Sequence, residues 1–397
     1  FVIPWFIPWF GVTFYSLVPW SGLVWLVRRY FLFIPSSTTP HKRSITDLGP
    51  TNRDRERELL SLSRPSATGV SMGRLRKHFI RRTVVELCFR AEEGLPLVAT
   101  PYMQVILKSI LARAQHFSSV QICHLMVMGN HIHIIIVVED PEKVPAFYGY
   151  LKRELASAIN HLLGRRKHTV WAEGTDSPTI LDPEKAIERI VYCYTNPLRA
   201  NLVTSVEEYP QFSTWKMFQS GGGEISARRI TRDSIPALPR RTLTIEQQKA
   251  LAHELEENAG EEFTLLIEPD AWMECFAELE GTDPEQINAE IVRRVRAEER
   301  QLVMSRVSPT LGADKLAMED IRKPHIPKKH GKRTICLSSL RQLRVRFIEM
   351  YKSKSDQARH AIRAWKYENC RAGPPPGFFL PSGFLHGNCL FNLQQLA

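Results

Sequence analysis

Two imidazoles, a phenol and an amide are the groups in this chain whose spacing could do chemistry together. Met128-Gly129-Asn130-His131-Ile132-His133 leads into an apolar series from Ile134 to Val138 and reads as a tight Gly-Asn turn opening a strand. Side chains alternate along a strand, so His131 and His133 share one face with Ile135 and Val137, while Ile132, Ile134, Ile136 and Val138 fill the other. Imidazoles two residues apart can hold one divalent cation if a third oxygen or nitrogen donor arrives from elsewhere. The alternative is a pair of partly buried histidines satisfied by backbone carbonyls.

A second stretch, Glu188 to Val203, supplies the other groups. Asp182 and Pro183 provide an N-cap and a first-turn proline, and Ile187, Ile190, Val191 and Tyr194 follow a helical apolar stripe. Glu188, Tyr192 and Asn196 stack at i, i+4, i+8 on a different face. A tyrosine and an amide one turn apart can present a nucleophile and a metal ligand to one point in space. Other assignments stay open: Tyr194 as nucleophile, Asn196 before Pro197 as a helix-end cap, and Glu188 as a ligand, a base or a solvated charge.

Asn-His-x-His followed by Tyr-x-Tyr-x-Asn-Pro-x-Arg-Ala-x-Leu-Val resembles the REP-associated, single-tyrosine HUH transposases over roughly residues 72–220. The resemblance implies metal-dependent cleavage of single-stranded or hairpin DNA, and strand transfer through a 5′-phosphotyrosine on Tyr192. Mg²⁺ or Mn²⁺ would be held by His131, His133 and Asn196, whose nitrogen and oxygen donors suit such an ion with water and substrate oxygens completing the shell. The phenol needs help from its surroundings, because a tyrosine with a pKa of about 10 is a weak nucleophile at neutral pH. Lys152, Arg153, Arg165, Arg166, Lys167 and Arg199 are the candidate DNA contacts, or else ordinary solvated charges. This chain departs from the family pattern at Gly129, where many members have proline, and after Trp171, where Ala172-Glu173-Gly174 replaces the usual Gln, Arg and aromatic. A decayed or domesticated relative that binds nucleic acid without cutting it is the second reading.

The elements that must position these groups are legible from Lys77 onward. A strand is expected over Phe79 to Phe89 and a helix after Thr100-Pro101. Strands over Val120 to Met128 and His131 to Val138 follow, then a helix through Phe147, Leu151, Leu155, Ile159 and Leu162 ended by Gly164. A short strand at 169–173 or 179–181 precedes the tyrosine helix. The order β-α-β-β-α-β-α predicts an α+β, ferredoxin-like split βαβ domain, an antiparallel sheet with helices on one face, with the tyrosine helix packed across the sheet that carries the histidines.

Around this domain, residues 1–71 are read as a non-native or disordered leader and 221–241 as a linker. Phe1 to Trp25 is uncharged and long enough to span a bilayer, but Pro4, Pro8 and Pro19 interrupt it, so no stable membrane association is expected. Residues 242–397 are expected to form a mainly helical basic region, with helices opening at Thr244 and at Asp283-Pro284 and a third from Leu340 to Tyr367. Arg322 to Arg333 holds six Lys or Arg, two His and no acid, and 373–381 is an extended proline segment. The chain carries 53 Lys and Arg against 42 Asp and Glu, an excess of positive charge that suits a polyanionic partner. Seven widely spaced cysteines without Cys-x-x-Cys suit reduced thiols in a cytosolic compartment rather than a disulfide framework or zinc knuckle, and the resemblance implies the bacterial cytosol or nucleoid.

Overall fold

Strand β1 (Val84–Arg90) alternates cleanly: Val85, Leu87 and Phe89 enter one apolar cluster, while Val84, Glu86 and Cys88 turn to the other side. The computed structural model describes residues 77–326, 334–367 and 375–378, all within a unit that spans 73–397. The 1–71 leader, residues 327–333 of the basic run and most of the proline segment lie outside the described residues.

Helix α1 (Pro101–Ser118) starts on the expected Thr100-Pro101 and leads to β2 (Gln121–Met128), the hairpin turn at 129–130 and β3 (His131–Val137). Helix α2 (Lys143–Leu162), a two-residue strand β4 (Thr179–Ile180) and the tyrosine helix α3 (Pro183–Arg199) complete the series. The central strands lie in the order β2-β3-β1-β4, every pair antiparallel, which is the split βαβ arrangement. Between Ile122 and His124 the β2–β3 register shifts by a bulge. The bulge turns both Cys123 and His124 toward α3 while Ile122, Leu125 and Val127 keep facing α1 and α2.

The two crossover helices α1 and α2 share one face, packed on Ile132, Ile134 and Ile136 of β3. Helix α3 covers the opposite face with Ile187, Ile190, Val191 and Tyr194 against Ile135 and Val137. Tyr209 Oη donates to the Val127 carbonyl at 3.0 Å and Thr214 Oγ1 accepts from Leu125 N–H at 2.8 Å, which ties the segment after α3 to β2. A five-residue helix α4 (Trp215–Gln219) closes that segment.

The expected linker is not one: residues 223–228 form β5 (Gly223–Arg228), antiparallel to β6 (Glu262–Ile267). Beyond β6 the sheet continues in parallel to β2, and at its other edge β7 (Cys336–Leu337) runs parallel to β4, giving the order β5-β6-β2-β3-β1-β4-β7. The C-terminal region therefore extends the same sheet as well as adding helices. Its helices are α5 (Ile245–Glu257), α6 (Pro284–Ser305), the short α7 (Ala313–Ala317) and α8 (Arg341–Tyr367). Thr244 and Gln247 form the capping box of α5, and Asp283 with Pro284 starts α6. Helix α6 packs on α3 through Ile291 and Val295.

Candidate active site

His131 and His133 stand on the sheet face covered by α3, with ring centroids 5.0 Å apart. Asn196, one turn past Tyr192 on α3, reaches this pair, its Nδ2 lying 3.3 Å from His131 Nε2. It does not cap the helix: α3 runs through Pro197 to Arg199, and the backbone N–H of Ala200 closes the end by bonding the carbonyls of Asn196 and Leu198. The Tyr192 ring meets His133 edge-on at 5.7 Å between centroids. Two elements some sixty residues apart in sequence thus bring the two imidazoles, the amide and the phenol to one place.

The second tyrosine is accounted for by packing. Tyr194 is fully buried, its hydroxyl 2.8 Å from His124 Nδ1 and 3.0 Å from Thr214 Oγ1, and its ring stacked on Phe218. A phenol closed off in this way is out of reach of any ligand in solution, whereas Tyr192 opens onto a cleft. Glu188 is an exposed partner of Lys185 on the same cleft.

Glu86 and Arg189 belong to the site and carry no mark in the motifs. Glu86 is buried on β1, its Oε1 2.8 Å from His133 Nδ1. Arg189 grips the same carboxylate with both arms, Nε to Oε2 and Nη2 to Oε1, each at 2.7 Å. Its guanidinium lies 4.1 Å from the centroid of the Tyr192 ring. Burial alone would push the Glu86 carboxyl up, but the hydrogen bonds from His133 and Arg189 prevail and hold it at about 2. Burial likewise disfavours charge on His133, yet the Cys88 thiol beside it and the Glu86 carboxylate push it up. A signal for Glu86 existed: it is the one acid inside the apolar strand Val84-Val85-Glu86-Leu87-Cys88-Phe89, at the parity that faces α3.

The donor set can be tested against a metal on this geometry. Asn130 Oδ1 lies 2.7 Å from His131 Nδ1, which suits the tautomer protonated there and leaves the Nε2 lone pair aimed at Asn196. Glu86 on His133 Nδ1 is the carboxylate that a metal-bound imidazole ordinarily has behind it. These residues fit a divalent cation, provided that binding displaces the proton favoured on His133. Among the described residues no group of three or more His, Cys, Asp or Glu is placed to hold a metal ion, so the third donor here is the Asn196 amide.

The expected DNA contacts divide. Arg199 is at the site, its guanidinium 5.3 Å from the Tyr192 ring centroid and ion-paired to Glu298 on α6. Lys152 and Arg153 lie on α2, which packs on the other face of the sheet; Lys152 Nζ donates to the Gly174 carbonyl at 3.1 Å, and Arg153 contacts Glu154 and the Tyr150 ring. Arg165, Arg166 and Lys167 are exposed in the turn after α2. The fold does not gather these five around Tyr192. Trp171 packs edge-on against Phe89 and donates to the Lys152 carbonyl.

No family model matches this chain, and no curated protein does. Among solved structures it is similar to a REP-associated tyrosine transposase bound to a REP hairpin, at 18% identity and a TM-score of 0.33, over 38% of this chain and 86% of that one. It is also similar to a presumed transposase from Deinococcus radiodurans R1, at 19% identity and a TM-score of 0.22, over 28% of this chain and 88% of that one. Both are partial likenesses, and neither says what this chain does. Among the described residues no helix is long and apolar enough to cross a membrane. The described cysteines, Cys88, Cys123, Cys193, Cys275 and Cys336, are free thiols.

Proposed function

We propose that the chain cleaves single-stranded DNA and transfers the strand through a covalent link to Tyr192, in the manner of a transposase acting on hairpin-forming repeats. The observation that carries this reading is the meeting of Asn196 with His131 beside a Tyr192 ring set against His133. In the reaction the Tyr192 oxygen attacks the scissile phosphorus, the bond from phosphorus to the 3′ oxygen breaks, and the phenolic proton leaves as the 3′ oxygen gains one. The product is a 5′-phosphotyrosine and a free 3′-OH, so the energy of the broken ester is kept for joining a second strand.

His131, His133 and Asn196 would hold Mg²⁺ or Mn²⁺, which when bound supplies Lewis-acid stabilisation of charge on the phosphoryl and leaving oxygens. The protein's own groups do the rest. Arg189 sets its guanidinium against the Tyr192 ring and holds it in place. Glu86 fixes both His133 and Arg189, so that the metal side and the nucleophile side of the site are held by one carboxylate. Arg199 offers a second guanidinium on the open side of the ring.

Incubating the full chain with labelled single-stranded hairpins and Mn²⁺ tests the reading. A covalent protein–DNA adduct that disappears with chelator is expected. DNA binding without any adduct would favour the alternative of a nucleic-acid-binding relative that no longer cuts.

A further inference from the structure

The open side of Tyr192 is walled by a helix from outside the 72–220 stretch that carries the motifs. A cleft of about 520 Å³ lies between α3 and α6, lined by Lys185, Arg189, Tyr192 and Arg199 on one side and by Arg294 and Glu298 on the other. Its volume falls in the range of about 300–1,000 Å³ typical of pockets that take a small ligand. The lining carries four cations, Lys185, Arg189, Arg199 and Arg294, and two acids, Glu188 and Glu298, of which Glu298 has a particular place. Glu298 pairs with Arg199 and accepts a hydrogen bond at 3.1 Å from Thr195 Oγ1, while Arg199 Nε donates to the same hydroxyl at 3.3 Å. A guanidinium and a hydroxyl converging on one carboxylate oxygen, Glu298 Oε1, are partners that a phosphodiester oxygen would also use. Arg199 is nearly half exposed there, so the pair is open to exchange.

We infer that the α3–α6 cleft is the binding site for the single-stranded nucleotide next to the phosphate that Tyr192 attacks, and that Glu298 holds the phosphate position on Arg199 until the strand displaces it. This rests on the reading of single-stranded DNA as substrate, and it makes α6 part of the site. Entry of a strand exchanges one anion for another on Arg199, and the freed carboxylate then faces a phosphate. Removing the carboxylate's charge therefore strengthens binding, and filling the cleft weakens it. Ala297 lines the cleft and is exposed on α6, so a large side chain there fills the space without entering the core.

The experiment measures the affinity of a short labelled single-stranded oligonucleotide for the full chain in a Tyr192→Phe background, at two salt concentrations. Glu298→Gln, which keeps an oxygen for Thr195, is expected to tighten binding by about fivefold at low salt and by less at high salt. Ala297→Trp is expected to weaken it by about tenfold, with the melting temperature of both variants unchanged. In an Arg199→Ala background the gain from Glu298→Gln should vanish, because the two residues act on the same phosphate. Unchanged or weaker binding with Glu298→Gln, or unaltered binding with Ala297→Trp, overturns the inference and leaves α6 a brace for α3. Covalent adduct formation by the Tyr192 protein is scored separately. Adduct without these binding effects refutes the cleft alone, and the binding effects without adduct refute the chemistry alone.

Discussion

At the scale of single residues, the site turns on which of two neighbouring tyrosines is open and what stands behind the histidines. Tyr194→Phe should leave chemistry intact and lower stability by about 1–2 kcal/mol, since it strips a buried hydroxyl from His124 and Thr214; denaturant unfolding measures it. His131→Ala and His133→Ala should each abolish cleavage in a folded protein, because the sheet core is carried by Ile132, Ile134 and Ile136, not by the imidazoles; circular dichroism beside the cleavage assay separates the two effects. Glu86→Gln should slow cleavage by about 10–100-fold, because His133 and the two-armed bond to Arg189 both lose their charged partner. A rate within twofold of the original protein would show that Glu86 matters only for folding. His131, His133, Tyr192 and Asn196 were legible in the sequence because periodicity assigns each to a face. Glu86 was marked only as the one acid in an apolar strand and Arg189 not at all, because their roles arise from pairing across β1 and α3, which spacing along the chain does not express.

At the scale of elements, most of the helices and strands up to α3 were legible because α1 and α3 announce their starts, α2 its apolar stripe and β3 its alternation. Thr100-Pro101 and Asp182-Pro183 open α1 and α3 where expected, and the alternating isoleucines of β3 separate the two faces of the sheet. The bulge in β2 was not legible. It places the buried, polar His124 under α3, where desolvation pulls its pKa down to about 3. Its sign is fixed: with the folded pKa below the unfolded value of about 6.5, the unfolded chain binds the extra proton at intermediate pH, so stability is whole above about 6.5 and falls as pH drops toward 3. Between pH 6.5 and 5, where carboxylates still stay ionised, this loss should reach on the order of 1–2 kcal/mol in chemical denaturation. His124→Gln should remove that part of the slope and leave the share of His78, whose pKa burial pulls down to about 4. An equally steep profile in the variant would assign the acid loss to other groups.

At the scale of the whole molecule, the sheet gathers strands from both ends of the described chain. Strand β6 alternates Phe263, Leu265 and Ile267 inward, a pattern short enough to pass for part of a helical region, and β5 has no such signal; both become strands because they complete the edge beside β2. With α3 on one face and α6 beside it, Tyr192 sits in a cleft rather than on an open surface. A single strand can splay its bases and bring one phosphate into such a cleft, whereas a duplex must first be melted at about 1.4 kcal/mol per base-pair step. Binding should therefore favour a hairpin with a single-stranded flank over a duplex of the same sequence. It should also weaken steeply with salt, in keeping with the net charge of +11. Equal affinity for both DNAs at two salt concentrations would contradict a single-strand mechanism. The most direct measurement is to trap the adduct from a flanked hairpin with Mn²⁺, digest it, and locate the nucleotide on the peptide by mass spectrometry. A 5′-phosphonucleotide on Tyr192 is expected, absent from Tyr192→Phe and present in Tyr194→Phe; an adduct on any other residue, or one that survives in Tyr192→Phe, would overturn Tyr192 as the nucleophile.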